Sequence, residues 1–313
     1  MIVTSVTVRA PAKINLQLAV GPLRPDGYHG LVTVFHAIGL FDMVTVAAAE
    51  ADTVTVTGEG AGQVPADRDN LALRAVRSLR ATVPDQAAPG AAVTIAKRIP
   101  VAAGLAGGSA DAAAALVACN ELWGAGLTQQ DLCEVAAGIG SDVAFAVVGG
   151  TVVGRGRGER LTPALVSAAR YHWVLAFADG GLPTPEVYGA LDRARAAGDP
   201  AGGGADAGYE PELSTELMAA LRAGDPERLG RSLSNDLQAP ALSLFPALRK
   251  TLEAGREFGA LGALVSGSGP TCFFLARGAS HATDLAVALS GAGVCRSVAR
   301  ATGPASGAIV IER

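Results

Sequence analysis

The sequence predicts an α+β protein of two domains, and three observations predict it. The 313 residues exceed what one compact core usually holds, so two domains are expected, 1–160 and 161–313. Half of the residues are hydrophobic and 17% are charged, a balance that supports large cores and excludes a disordered chain. Hairpin-like strand runs mix with helical ones, whereas a doubly wound parallel sheet would place a helix after every strand.

Each element has its own signal. Val6, Val8, Ile14, Leu16, Leu18 and Val20 share one parity while Lys13, Asn15 and Gln17 share the other, which predicts a strand with one core face and one polar face. Gly21 to Gly30 is turn-rich. Leu31 to Gly39, Met43 to Ala48 and Thr53 to Thr57 follow as strands, and Asn70 is placed to cap a helix reaching Ala81. Ala92 to Ile99 reads as a strand, Ala110 to Trp123 as a helix, and Thr128 and Asp131 open another that stops near Gly138. Gly140 to Gly150 is a short apolar element, and Gly154-Arg-Gly-Arg-Gly-Glu-Arg is expected to be a hairpin turn with solvated arginines. Tyr171 to Ala178 is a strand, after which Thr184-Pro185 offers an N-cap and a first-turn proline for a helix to about Ala197. Gly198 to Gly208 is expected to be a flexible surface loop. Helices are expected from Leu213, Pro226, Asn235 and Phe245, then two strands around a glycine turn in Leu261 to Ala276, a helix from His281 to Leu289 and a last strand near Ala308 to Ile311.

Composition excludes several classes. A net charge of −4 gives no support to nucleic-acid binding, so anionic ligands must be held by local groups. Met1 to Val8 lacks a basic, long-apolar leader and no apolar run approaches a membrane span, from which a cytosolic protein is expected. Cys119, Cys133, Cys272 and Cys295 are widely spaced without a C-x-x-C pair, and only four histidines are present; buried reduced thiols are expected, not zinc.

The most informative stretch is Ile99 to Leu116, where a strand runs through Gly104, Gly107 and Gly108 into an alanine-rich helix. Such a turn gathers backbone N–H groups at the positive end of a helix dipole and can cradle phosphate; alternatively it only packs helix close to strand. No lysine follows the glycines as in a P-loop, and G-x-x-G-G-S is not the dinucleotide spacing. Pro100-Val-Ala-Ala-Gly-Leu-Ala-Gly-Gly-Ser-Ala-Asp resembles instead the phosphate-binding motif of the GHMP superfamily of small-molecule kinases. Ala10-Pro-Ala-Lys-Ile-Asn-Leu before it and Val265-Ser-Gly-Ser-Gly-Pro-Thr after it carry the same resemblance across nearly the whole chain. Ala106 and Ala110 depart from the pattern, standing where a third glycine and a second serine are common; alanine keeps the N–H donors.

The resemblance implies ATP held by Pro100, Val101, Ala102, Ala103, Gly104, Leu105, Ala106, Gly107, Gly108, Ser109 and Ala110, with Mg²⁺ accompanying it. It implies a ribosomal-protein-S5-like N-terminal domain that binds ATP, a ferredoxin-like C-terminal domain, and an active site between them. Pro11-Ala-Lys-Ile-Asn-Leu, Asp26-Gly-Tyr-His29, Phe35, Gly140-Ser-Asp-Val and Ser234-Asn-Asp-Leu-Gln are similar to one branch of the superfamily. In that branch ATP phosphorylates a hydroxyl of a methylerythritol unit carried on cytidine diphosphate, in the non-mevalonate route to isoprenoid precursors.

Phosphoryl transfer needs positioning, charge neutralisation and an oriented hydroxyl. Asp142 can accept that hydroxyl's proton, or be no more than an N-cap; Lys13 would hold Asp142 ionised and lower the hydroxyl pKa, or be a solvated strand lysine. Asn15 would bind substrate near the transferred group, or be an edge-strand amide. Tyr28 and His29 follow a Pro-Asp-Gly turn and offer a cytosine ring a flat partner and hydrogen bonds, or simply pack over a loop. By resemblance His29 reads the base. Tyr188 would supply the opposing stack or belong to the core, and Thr184 is placed with the substrate although capping alone would explain it. Ser266, Gly267, Ser268 and Gly269 form a second glycine turn, which by resemblance the family brings to the phosphates and the diphosphate and which is also a hairpin needing positive φ. Ser109 is the nearest magnesium candidate, and Asn70 goes to the adenine side by resemblance. Kinases acting on homoserine or mevalonate are the rival reading, but such substrates give Tyr28 and His29 no base to hold. A catalytically silent nucleotide sensor is a second rival, opposed by the joint presence of Lys13 and Asp142.

Overall fold

The computed structural model describes residues 4–83, 89–198 and 209–313. In chain order, β1 (Ser5–Leu23), β2 (His29–Ala49) and β3 (Thr53–Gly58) lead to α1 (Leu71–Arg80), β4 (Gly90–Lys97), α2 (Gly107–Leu122), α3 (Gln129–Ala137) and α4 (Ser141–Val148). The hairpin β5 (Thr151–Gly156) and β6 (Arg160–Pro163) follows, then β7 (Tyr171–Phe177), α5 (Thr184–Ala196), α6 (Thr215–Ala223), α7 (Pro226–Arg231), β8 (Ser234–Asn235), α8 (Gln238–Leu244) and α9 (Ala247–Glu257). The chain closes with β9 (Gly262–Val265), β10 (Cys272–Ala276), α10 (Ala279–Gly291), β11 (Ser297–Gly303) and β12 (Ile309–Glu312).

These strands form two sheets. The eight-stranded sheet has the order β12-β1-β2-β4-β3, with β5 also on β2, β6 on β5, and β8 parallel to β1 at Gln17 and Leu18. The four-stranded sheet, β11-β7-β10-β9, is antiparallel throughout. Antiparallel hairpins with helices on one side make this an α+β fold, as the sequence predicts.

The even-numbered residues of β1 from Val6 to Leu16 are fully buried against α2 and α4, and α1 packs on α2. Ala110 and Ala112 to Ala115 are also fully buried; their small side chains let α2 lie close to the sheet. A separate core gathers Val174, Val265 and Phe274 of the small sheet with Leu191, Leu248 and Leu285 from α5, α9 and α10.

Several expectations change. Leu31 to Gly39 and Met43 to Ala48 are one strand, β2, because a register shift between Pro11 and Ala12 absorbs the break in pairing instead of ending it. The turn after β1 shrinks to residues 24–28 because pairing with β2 continues to Leu23 opposite His29. The odd-numbered face of β1 is not solvated: Lys13, Asn15 and Gln17 are buried. Asn70 caps α1, its side chain accepting from the Ala72 N–H at 2.9 Å. Asn235 starts no helix; it belongs to β8, and α8 begins at Gln238. The loop expected at Gly198 to Gly208 lies outside the described residues from 199 onward. Among the described residues no helix is long and apolar enough to cross a membrane, no group of three metal-ligating side chains gathers, and all four cysteines are free.

Candidate active site

A cavity of about 920 Å³ is lined by the large sheet and its helices on one side and by α5 and the turn between β9 and β10 on the other, including Lys13 and Asn15 of β1, the glycine-rich start of α2, and Asp142 of α4. Tyr28, His29, Thr184, Tyr188, Gly267 and Ser268 line it as well. Of the cradle residues, Pro100 to Gly104 and Ala106 to Ser109 line it, whereas Leu105 and Ala110 turn into the core. Ser266 and Gly269 of the second turn stand behind the wall.

The cradle is anchored from below. Asp42 Oδ1 accepts from the backbone N–H groups of Arg98 and Ile99 at 2.6 and 2.8 Å, where the chain leaves β4. The Lys97 ammonium lies between Asp42 and Asp111, donating to both carboxylates, and burial pushes the Asp111 carboxyl up to about 7. Ala102 and Ala106 adopt left-handed φ values of 49° and 58°. Helix α2 starts at Gly107, three residues before the expected Ala110, because Ala106 takes the left-handed turn that precedes it. Gly107 faces the strand, where a Cβ would lie 3.1 Å from Ile99 Cγ2 and from Lys97 Nζ; Gly108 is exposed to the cavity.

The second turn docks on the first. A Cβ on Gly104 would lie 2.0 Å from the Ser266 carbonyl oxygen, and Ser266 Oγ donates to Gly104 O at 3.0 Å. Gly267, at φ 55°, passes over the polar face of β1, where its Cβ would stand 3.0 Å from Lys13 Nζ.

On that face Lys13 Nζ donates to Asn15 Oδ1 at 2.7 Å, and Asn15 Nδ2 donates to Thr33 Oγ1 at 2.8 Å. Burial lowers the Lys13 pKa, and the Asp142 charge opposes that shift without a direct ion pair. Asp142 is the second residue of α4, whose N-cap is Gly140, so it is not the capping aspartate. Its carboxylate accepts no hydrogen bond from the described residues and lines the cavity.

At the other end, His29 Nε2 meets Asp192 Oδ1 at 2.8 Å, and its ring lies 5.0 Å from that of Tyr188 at 38°. Tyr28 is 54% exposed and carries the Arg157 guanidinium 4.8 Å above its ring, so this arginine of the β5–β6 turn is not simply solvated. Thr184 is the first residue of α5, not its cap, which is Pro183; its hydroxyl pairs with Ser268 Oγ at 3.0 Å. Burial pushes the Tyr188 hydroxyl pKa up.

Sequence reasoning missed Asp192, Arg157, the Asp42–Lys97–Asp111 cluster and the hydrogen bonds of Asn235. Only Asp192 had a local signal, standing one helical turn after Tyr188.

Family models of the GHMP kinases match the chain, the N-terminal domain over residues 70–150 and the C-terminal domain over 217–295. The fold is thus that of a GHMP kinase, an ATP-using enzyme that phosphorylates a small molecule. The chain is 54% identical to the 4-diphosphocytidyl-2-C-methyl-D-erythritol kinase of Salinispora tropica, over 97% of this chain and 93% of that protein. It is also 54% identical to the Thermobifida fusca protein of the same name, over 98% and 99%. The crystal structure of a 4-(cytidine 5'-diphospho)-2C-methyl-D-erythritol kinase, 34% identical, matches with a TM-score of 0.73 over 95% of this chain and 98% of that one. A homoserine kinase from Cytophaga hutchinsonii, 21% identical with a TM-score of 0.74 over 99% and 98%, shares the fold. This chain belongs to the 4-diphosphocytidyl-2-C-methyl-D-erythritol kinase family.

Proposed function

We propose that this protein transfers the γ-phosphoryl group of ATP to a hydroxyl of 4-diphosphocytidyl-2-C-methyl-D-erythritol, a step in the non-mevalonate route to isoprenoid precursors. One observation carries the reading: a single cavity joins a glycine cradle, a lysine–aspartate pair and a Tyr–His–Tyr cluster. The order also fits, since Gly104 touches the second turn, the second turn covers Lys13, and Asp142 acts electrostatically on both Lys13 and Tyr188.

ATP would lie with its phosphates on the backbone N–H groups from Gly104 to Ser109, at the positive end of α2. Asp142 would take up or orient the proton of the accepting hydroxyl, a role its unpartnered carboxylate supports. Lys13 would hold positive charge beside that hydroxyl and the transferring group, and Asn15, fixed between Lys13 and Thr33, would bind substrate nearby. Tyr28, His29 and Tyr188 would hold the cytosine, with Asp192 setting the His29 ring and Thr184 on the substrate side. The residues fit Mg²⁺ as an ion carried mainly by ATP: Ser109 lines the cavity with a hydroxyl free of partners, and no three-acid cage exists among the described residues. Mg²⁺ would supply neutralisation of phosphate charge. We read residues 1–160 as the ATP-binding domain and 161–313 as the C-terminal domain, with β8 and β12 returning to the first sheet.

A substrate panel tests the assignment. ATP consumption should follow the cytidine diphosphate ester and not homoserine or mevalonate, CDP should compete with the ester, and Tyr28→Ala should raise its KM about ten- to a hundredfold with ATP little affected. Turnover of homoserine instead would overturn the cytidine reading and leave only a kinase of the superfamily.

A further inference from the structure

The string Ser234-Asn-Asp-Leu-Gln, whose Leu237 lines the cavity and whose Asp236 charge acts on Tyr188, ties the second glycine turn to β1. Asn235 Nδ2 donates to two carbonyls of that turn, Val265 O at 2.9 Å and Gly267 O at 2.8 Å. Its own Oδ1 accepts from the Leu237 N–H at 2.9 Å, which fixes the amide's orientation. Gln238 Oε1 accepts from the Val265 N–H at 3.1 Å, so the turn's incoming strand is held from the same segment. The segment is itself fastened to β1: Asp236 N donates to Leu18 O at 2.9 Å, and Asp236 Oδ2 accepts from the Val20 N–H at 2.8 Å.

In a trans peptide the C=O and the following N–H point to opposite sides. Drawing Gly267 C=O toward Asn235 therefore turns the Ser268 N–H away from Asn235. That N–H has no acceptor among the described residues, and Ser268 lines the cavity. Its neighbours are Thr184 at the start of α5, the helix that carries Tyr188 and Asp192, and, one residue back, Lys13 under Gly267. An open backbone donor between the aromatic cluster and the lysine is where a diphosphate would lie if it joined a base to the accepting hydroxyl.

We propose that Asn235 is a positioning residue: by holding the carbonyls of Val265 and Gly267, it aims the Ser268 N–H at the diphosphate of the cytidine substrate. This rests on the cytidine reading given above. The turn's amides then act as preset donors whose direction is fixed before substrate arrives, as Asn235 is already satisfied on both sides.

Calorimetric titration with CDP, cytidine and ADP separates the possibilities. In the unaltered protein CDP should bind more tightly than cytidine; failure to bind CDP at all would overturn the cytidine reading and this inference with it. Asn235→Ala should weaken CDP about ten- to a hundredfold while leaving cytidine and ADP within about twofold, because only the diphosphate's donors are disturbed. Asn235→Ser keeps a hydroxyl donor and should fall between the parent and the alanine variant; it carries the same test if the alanine variant does not fold. Unchanged CDP affinity in a folded variant, or an equal loss for CDP and cytidine, would overturn the inference while the cytidine reading stands. A loss confined to ADP would also overturn it, assigning the turn to ATP.

Discussion

Gly104 and Ser266 approach so closely that a Cβ on the glycine would stand 2.0 Å from the serine carbonyl oxygen. This contact joins the two glycine turns, and the first of them is tied to β1 by the Lys13 N–H, which donates to Leu105 O at 3.1 Å. Gly104 also has φ 74°, so alanine there meets backbone strain and a clash together. Gly104→Ala should cost about 2–4 kcal/mol in urea unfolding. Gly108→Ala is the contrast: its Cβ would meet only Leu71 Cδ1, at 3.2 Å, on the cavity side. It should leave stability within about 1 kcal/mol of the parent yet weaken ATP binding, since the methyl stands where phosphate approaches. Equal stability of both variants would mean that the docking of the turns is not constrained as described.

Ala106 occupies a left-handed conformation, φ 58°, that glycine adopts freely. Ala106→Gly removes about 1–2 kcal/mol of strain and adds roughly 0.5–1 kcal/mol of unfolded-state entropy. A net gain of about 0.5–1 kcal/mol is expected, read as a higher melting temperature. A lower melting temperature would show that the alanine methyl packs favourably enough to outweigh its backbone strain.

Asp142→Asn keeps size and removes the proton acceptor, so kcat should fall about 10²- to 10⁴-fold with folding retained. The pH profile offers a second reading. Burial lowers the Lys13 pKa below 10.5 and Asp142 partly restores it, so activity that needs the ammonium should be lost as pH rises through a value below the ordinary lysine range. Without the aspartate charge the lysine gives up its proton more easily. The alkaline limb of the residual Asp142→Asn activity should therefore move to lower pH, and a limb that moved upward would remove Lys13 from the mechanism.

His36 is fully buried between the sheets, with Nδ1 on Thr151 Oγ1 at 2.8 Å, its ring edge-on to Trp173, and Nε2 without a partner. Burial lowers its pKa to about 3 from an ordinary 6.5. The unfolded chain therefore binds one more proton between those values. The stabilising effect of a neutral His36 is complete above pH 6.5 and is lost as pH falls toward 3. Stability should decline by up to about 1.4 kcal/mol per pH unit through this group, and His36→Asn should flatten that slope in melts between pH 7 and 4. An unchanged slope would mean that His36 is hydrated in solution.

Elements whose signal lies within a few residues were legible in the sequence. The parity of β1, the cap at Asn70, the glycine turns and the alanine-rich α2 all follow from local periodicity and turn chemistry. The strings around Lys13, Gly107 and Ser268 were legible for the same reason, and the structure brings all three to one cavity. Boundaries moved where nonlocal pairing decided them, as when β2 ran past the expected break and Asn235 joined β1 as a strand.

What the odd-numbered face of β1 would meet was not local information. Alternation marks two faces but not what covers the second, and only the packing of the two sheets buries Lys13 and Asn15 beneath Gly267. Asp192 opposite His29 is 163 residues away in sequence, and Asn235 reaches a turn about thirty residues on. Such pairs leave no periodic trace in their own neighbourhoods, because each partner is selected by geometry that exists only once both sheets have packed. The sequence by itself determined the strands, the turns and the chemical kinds of residue available; tertiary packing decided which of them face one another and which amide, among the described residues, is left without an acceptor.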